Sequence, residues 1–152
     1  MVADSIEREV LIEAPPSVVW RVITEPGYIR QWFIEVDELD LRPGGDGALT
    51  APDSGNTFPI VVQEVEPERL LSWRWVHPEG SEPRAGNSTL VAFTLTPEGE
   101  HTRLRVTESG YNELGWEDRR RIGFVEAHER GWDEYIAKLV VVAAAAALAS
   151  RA

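Results

Sequence analysis

Glu108 ends the run Leu104-Arg105-Val106-Thr107-Glu108, in which a period of two sets Leu104, Val106 and Glu108 on one face of a strand. A carboxylate on an apolar face must pair, take up a proton or meet a ligand, because an isolated charge is costly to bury. Arg8 holds the same kind of place in the first strand, on the side of Ile6, Val10 and Ile12. An Arg8–Glu108 ion pair would satisfy both. The plainer arrangement puts each at a sheet end with its charge in solvent, and it is the preferred one, since charged side chains are rarely fully buried. His128 lies four residues before Trp132, on the same helical face. It can act as a polar anchor or general base in an interior space, or more simply as a hydrogen-bonded histidine on the helix flank. The simpler role is preferred, because no second catalytic group is tied to His128 by sequence. Glu108 and His128 could also face one shared space.

Large aromatic surfaces are the other chemical resource. Trp73 and Trp75 share a strand face with Leu71 and His77. Turned inward, the two indoles either pack as core against a helix, the preferred reading, or line a cavity in which each N–H needs a partner. Trp32, Phe58 and Trp132 extend the set, so the candidate ligand-binding residues are Trp32, Phe58, Trp73, Trp75, Glu108, His128 and Trp132. No catalytic residue is assigned. The three histidines, His77, His101 and His128, lack metal-ligand spacing, and His128-Glu129-Arg130-Gly131-Trp132 has no second histidine four residues on. Neither a metal nor a cofactor is expected. Gly44-Gly45-Asp46-Gly47 is not followed by Lys-Ser/Thr, so it is no phosphate loop, and no Gly-x-Ser-x-Gly elbow occurs. Asp37-Glu38 and Glu117-Asp118 read as solvated charges. Arg119-Arg120-Arg121 reads as a solvated first helical turn, with a protein contact as the alternative.

The elements that must position these residues follow from periodicity and punctuation. Ile6 to Glu13 alternates as a half-buried strand and stops at Ala14-Pro15-Pro16. Val18, Val19, Val22 and Ile23 give a short helix broken at Pro26-Gly27, and Tyr28 to Phe33 a second short helix or a turn. Strands are expected at 34–41, 48–51, 58–66, 70–77, 88–96 and 102–109, with Gly- or Pro-containing connections. From Trp116 the period becomes helical and runs to about Ala149. Gly123 and Gly131 inside that helix each cost up to about 1 kcal/mol relative to alanine, so a close approach is expected at both. The terminal alanines favour helix but are expected to bury little. Short connections imply an antiparallel meander, and the long helix is the one element able to cover it. The chain is read as one domain over residues 1–152.

Composition narrows the partners. The chain has 152 residues, a net charge of −11 and no cysteine. Its acidity argues against nucleic acid and against anionic membrane surfaces. The absence of cysteine removes disulfides, thiolate catalysis and thiolate-bound metals. The longest apolar run, Leu139 to Ala149, is too short for a membrane span, and the first residues lack a signal-peptide pattern, so a cytoplasmic address is expected.

The chain resembles the START-like or SRPBCC superfamily, with its helix-grip fold. Within it the segments look like the bacterial homologues of the activator of 90-kDa heat shock protein ATPase. The resemblance is carried by Ala14-Pro15 with Val19-Trp20, Pro26-Gly27-Tyr28 through Trp32-Phe33, Pro43-Gly44-Gly45, and Glu64-Val65-Glu66-Pro67-Glu68-Arg69-Leu70. Thr102-Arg103-Leu104 through Glu108-Ser109-Gly110 and Gly131-Trp132 before Leu139 complete it. It implies an α+β fold: a curved antiparallel sheet of six or seven strands wrapped on a long C-terminal helix, with two short helices after strand one. It also implies a hydrophobic cavity, but no particular reaction.

The leading expectation is therefore a protein that binds a small, mostly apolar molecule between sheet and helix, a binding protein rather than an enzyme. A solid interior would count against it. The first alternative is a protein–protein module, either a chaperone accessory or a homodimer through the apolar tail Leu139 to Ala149. The second is the cyclase- or hydrolase-type enzyme using Glu108 and His128.

Overall fold

A computed structural model describes residues 4–51, 54–76 and 86–150. The expectations for His77 and for most of the loop after it lie outside the described residues. Strand β1 (Ser5–Ile12) is followed by helices α1 (Pro16–Thr24) and α2 (Pro26–Trp32). Strands β2 (Glu35–Leu39), β3 (Asp46–Thr50), β4 (Thr57–Glu66), β5 (Leu70–Val76), β6 (Ser88–Glu98) and β7 (His101–Ser109) come next. A 3-10 turn (Tyr111–Leu114) then leads to helix α3 (Asp118–Ser150). Pro16 and Pro26 open the two short helices, where a missing backbone N–H costs nothing.

All strand pairs are antiparallel, in the order β1-β7-β6-β5-β4-β3-β2. Strands β2 to β7 form the expected meander, and β1 closes onto β7. A register shift between Val62 and Glu64 adds local twist to β4. This is the α+β helix-grip architecture, with α3 running about 50 Å at 1.5 Å per residue. The inward face carries Ile60 and Val62 from β4, Leu71, Trp73 and Trp75 from β5, Val91, Phe93 and Leu95 from β6, and Leu104 and Val106 from β7. The outer face of β1 and β7 is polar, with Arg105 bonded to Glu7 across the strands and Arg103 bonded to Glu98.

Arg8 does not pair with Glu108. Its Nε donates to Asp133 of α3 at 2.6 Å, and its other end reaches Glu129 at 3.6 Å, so the inward arginine ties the edge strand to the helix while staying partly wet. In the basic run, Arg121 pairs with Asp118 at 2.8 Å, and the Arg120 guanidinium lies 3.8 Å over the Trp116 ring.

Two expectations about α3 are corrected. The terminal alanines do bury: Ala143, Ala146 and Ala147 form a shielded stripe beside Leu139, because a methyl group lets the helix lie close to its neighbours. At Gly123 nothing lies within 4 Å of where a Cβ would stand, so no close approach explains it. Gly123→Ala should therefore raise stability by about 0.5–1 kcal/mol, through helix propensity and a smaller unfolded-state entropy. Urea denaturation checks this, and a loss of stability would show that the position serves something other than the fold. At Gly131 the ring of Tyr135 lies 3.4 Å from the virtual Cβ, so the expected neighbour is present there.

Candidate functional site

Strand β7 delivers Glu108 to the inside. Its alternation buries Thr102, Leu104 and Val106, and the next inward position is Glu108. Pairing with β1 and β6 sets it between Ile6 and Val91. The carboxylate is fully buried, so the expectation of a solvated sheet end is overturned. The reason is a set of donors from three elements. Thr89 of β6 donates its hydroxyl at 2.6 Å to one oxygen. His128 Nδ1 at 2.7 Å and Trp132 Nε1 at 2.9 Å share the other. The left-handed Gly110 (φ 96°) then turns the chain into the 3-10 turn that buries Tyr111 beside this group. The Tyr111 hydroxyl influences the carboxylate without closing a bond of good geometry.

The electrostatics follow from these contacts. Burial alone would push the Glu108 carboxyl up. The hydrogen bond and charge of His128, with the Thr89 and Tyr111 hydroxyls, outweigh it and hold Glu108 down at about 2. Burial first, and then the adjacent Glu108 charge, push the Tyr111 phenol well above its ordinary range, so it stays protonated. Because an ionised carboxylate has no proton to give, the proton in the His128–Glu108 bond sits on Nδ1.

His128 is the link between this buried group and the outside. Its ring lies 4.0 Å from Phe124 and 5.1 Å from Trp75, centroid to centroid. It lines a cleft of about 60 Å³ with Trp75, Ala127, Gly131, Trp132 and Tyr135. Sequence reasoning thus named the pair Glu108 and His128, and the fold brings both together with Trp75 and Trp132.

The remaining candidates sit deeper. Trp32 donates its Nε1 to the Val22 carbonyl at 2.9 Å and packs in the core. Trp73 is likewise buried, 6.0 Å from Trp75. Phe58 shares the inward face of β4 with Ile60 and Val62 but is only half-buried, away from the cleft. Phe33, at the end of α2, was not among the sequence candidates, yet it is the hub. Its ring stacks on Trp132 at 5.6 Å and meets Trp73 at 6.0 Å, Trp75 at 5.7 Å and Tyr135 at 4.8 Å. Behind it the space between sheet and small helices shrinks to about 10 Å³, bounded by Trp32, Phe33, Trp73 and Phe93 among others. The expected cavity is therefore closed in this structure, and the Phe33 ring is what fills its centre.

Comparison with known proteins agrees with this architecture. The family model described as Activator of Hsp90 ATPase homolog 1-like protein matches residues 13–144. The chain belongs to this family. Among solved structures, a protein of Mesorhizobium loti is 29% identical, with a TM-score of 0.73, over 91% of this chain and 95% of its own. DynU16, a protein of the dynemicin biosynthetic locus, is 28% identical with a TM-score of 0.72, over 91% of this chain and 46% of its own. The Aha1 dimer of Colwellia psychrerythraea, 19% identical with a TM-score of 0.68 over 91% of this chain and 93% of its own, shows the fold alone. No curated protein matches the sequence.

Within this family member, the described residues offer no group of three His, Asp or Glu side chains placed to hold a metal ion. Among the described residues, no helix is long and apolar enough to cross a membrane. What the site holds is one anionic group sealed behind His128, and a wall of aromatic rings. That combination suits recognition of a mostly apolar molecule bearing one polar group.

Proposed function

We propose that this protein binds a small, mostly apolar molecule against the aromatic cluster between the sheet and α3, with His128 as its polar contact. One observation carries the reading. A fully buried carboxylate is spent on fixing an imidazole that borders an aromatic cleft, although an apolar residue would fill the Glu108 position at lower cost. The membership of DynU16 in a biosynthetic locus supports a small-molecule ligand. Because the interior is filled, binding goes through the cleft and displaces the Phe33 ring.

The six tryptophans provide the test. With 4-nitroanisole as a single-ring probe, the indole N–H resonances of Trp73, Trp75 and Trp132 should shift in a nitrogen–proton correlation spectrum. Those of Trp20 and Trp116, outside the cluster, should stay in place. Uniform small shifts, or none at millimolar probe, would reject the reading.

A second reading rests on a separate surface. Val141 and Leu148, seven residues apart on α3, are 68% and 67% exposed. Two copies pairing along this face would cover both, giving a homodimer. Size-exclusion chromatography should then show a concentration-dependent dimer that Val141→Lys with Leu148→Lys abolishes. A wild-type chain that elutes as a monomer at every concentration removes this reading.

A further inference from the structure

We infer, resting on the binding reading above, that the bound molecule carries hydrogen-bond donors at one end only. That end stays in the cleft beside α3. The other end takes the place of the Phe33 ring, and it is a single ring or short branched chain with no hydroxyl, amine or acid group.

Phe33 is a partition between two spaces of different character. On one side lies the cleft, whose lining includes His128 and Tyr135. On the other lies the small space enclosed by the two short helices and the sheet. The Phe33 ring borders this inner space and packs against Trp75, Trp132 and Tyr135 of the cleft. A molecule that enters through the cleft and displaces the ring joins the two spaces, and must suit both. The size of its inner end follows from what it replaces. One phenyl ring leaves, and the space already there adds about 10 Å³. A six-membered ring with a short alkyl branch fills that volume.

Among the described residues, the side chains that bound the inner space offer no hydrogen-bond acceptor. Ile23 of α1, Ile29 of α2, Val36 of β2, Leu49 of β3 and Ile60 of β4 present hydrocarbon, and all five are buried. Trp32 and Trp73 add indole N–H groups, which donate and never accept. The Trp32 N–H is already spent on the Val22 carbonyl at 2.9 Å. The main-chain carbonyls of β3, β4 and β5 lie in the plane of the sheet, directed at neighbouring strands. A hydroxyl carried into this space gives up its water and finds no side chain to accept its proton, which lowers affinity about tenfold or more. A water cannot follow to relieve it, because a buried water itself needs about two to four polar partners. A charged group fares worse still. Val36, Leu49 and Ile60 therefore determine specificity by what they lack.

A pair of isomers tests this. 4-Ethylcatechol carries both hydroxyls at one end of its ring, whereas 4-(2-hydroxyethyl)phenol carries one at each end. The two share the same atoms and the same number of donors. Titrating the indole N–H shifts of the full chain in a nitrogen–proton correlation spectrum gives both dissociation constants. 4-Ethylcatechol should bind about tenfold or more tightly than its isomer. Val36→Thr sets a hydroxyl oxygen in the inner wall with little change of shape, and should narrow that preference to about threefold or less. Ile60→Thr does the same from β4, and takes its place if Val36→Thr loses the native circular dichroism spectrum. Val141→Thr, on the exposed face of α3, should keep the wild-type preference. Equal affinities for the two isomers in wild type, or a preference that the inner threonine leaves unchanged, overturn the inference while binding itself stands. If neither isomer moves the indole resonances at millimolar concentration, the binding reading falls, and this inference with it.

Discussion

Replacing Glu108 by alanine is expected to cost the fold about 3–5 kcal/mol, the range for removing one partner of a buried charged pair. In a chain of this size that lowers Tm by roughly 10 °C or more. The cost does not come from lost apolar area. It comes from the Thr89 hydroxyl, the His128 Nδ1–H and the Trp132 Nε1–H, which all end on this one carboxylate. Each buried donor left without an acceptor costs about 1–3 kcal/mol. The sum is not reached, because the three share one partner and a water can enter the space left behind. Glu108→Gln retains one carbonyl acceptor but turns an NH2 group toward donors, so its cost should fall between wild type and alanine. Urea unfolding of the three proteins gives the order directly. An alanine variant within 1 kcal/mol of wild type would mean the donors find other acceptors, and the site would lose its organising group.

The same group imposes a pH dependence of definite sign. Glu108 titrates at about 2 in the folded chain, against 4.5 without the fold. The unfolded state therefore takes up a proton first as the medium becomes acidic. The stabilisation from Glu108 is complete above the unfolded value and is lost as pH falls toward 2. The stability difference between wild type and Glu108→Gln should be flat near neutrality and shrink through that acid window. A difference that instead grew on acidification would mean that Glu108 is buried as the neutral acid.

Much of this site was legible in the sequence, and what was not has a physical reason. Period two placed Glu108 with Leu104 and Val106, and the four-residue step placed His128 with Trp132; both relations hold in the fold. The burial of Glu108 was not legible, because it depends on partners 19, 20 and 24 residues away, brought together only by the β6–β7 hairpin and the return of α3. Thr89 could have been found by the rule that found Glu108. It is the polar member of the inward series Thr89, Val91, Phe93, Leu95. Tyr111 carried a weaker signal, a tyrosine directly after the Gly110 that reverses the chain. The meander of β2 to β7 was readable because short connections leave few topologies, whereas the place of β1 beside β7 was not, because two helices separate it from β2. The fate of the interior was not readable either. Trp73 and Trp75 read first as core and second as cavity wall, and the ring that closes the space, Phe33, directly follows a seven-residue helix too short to give it a face.

Phe33 is therefore the residue whose removal says most about function. Phe33→Ala should cost about 3–5 kcal/mol, as other buried phenylalanines do, because the rings of Trp73, Trp75, Trp132 and Tyr135 cannot all collapse into the vacated space. A cavity walled by aromatic rings stays largely dry and accepts a single-ring compound. At a concentration a hundredfold above its Kd, 4-nitroanisole should then return about 2.7 kcal/mol of stability to the variant, a rise of roughly 5–10 °C in Tm. The comparison with wild type carries the argument. In the native chain the same compound must first displace Phe33, so the displacement free energy is subtracted from its affinity, and the rise in Tm should be much smaller. Phe33→Leu, which only partly empties the space, should fall between the two. An equal Tm rise in all three proteins would put the binding site away from Phe33. A variant that is destabilised but never rescued would make Phe33 a core residue with no share in recognition. The graded result alone fits an aromatic ring that occupies, in the empty protein, the place a ligand takes when it binds.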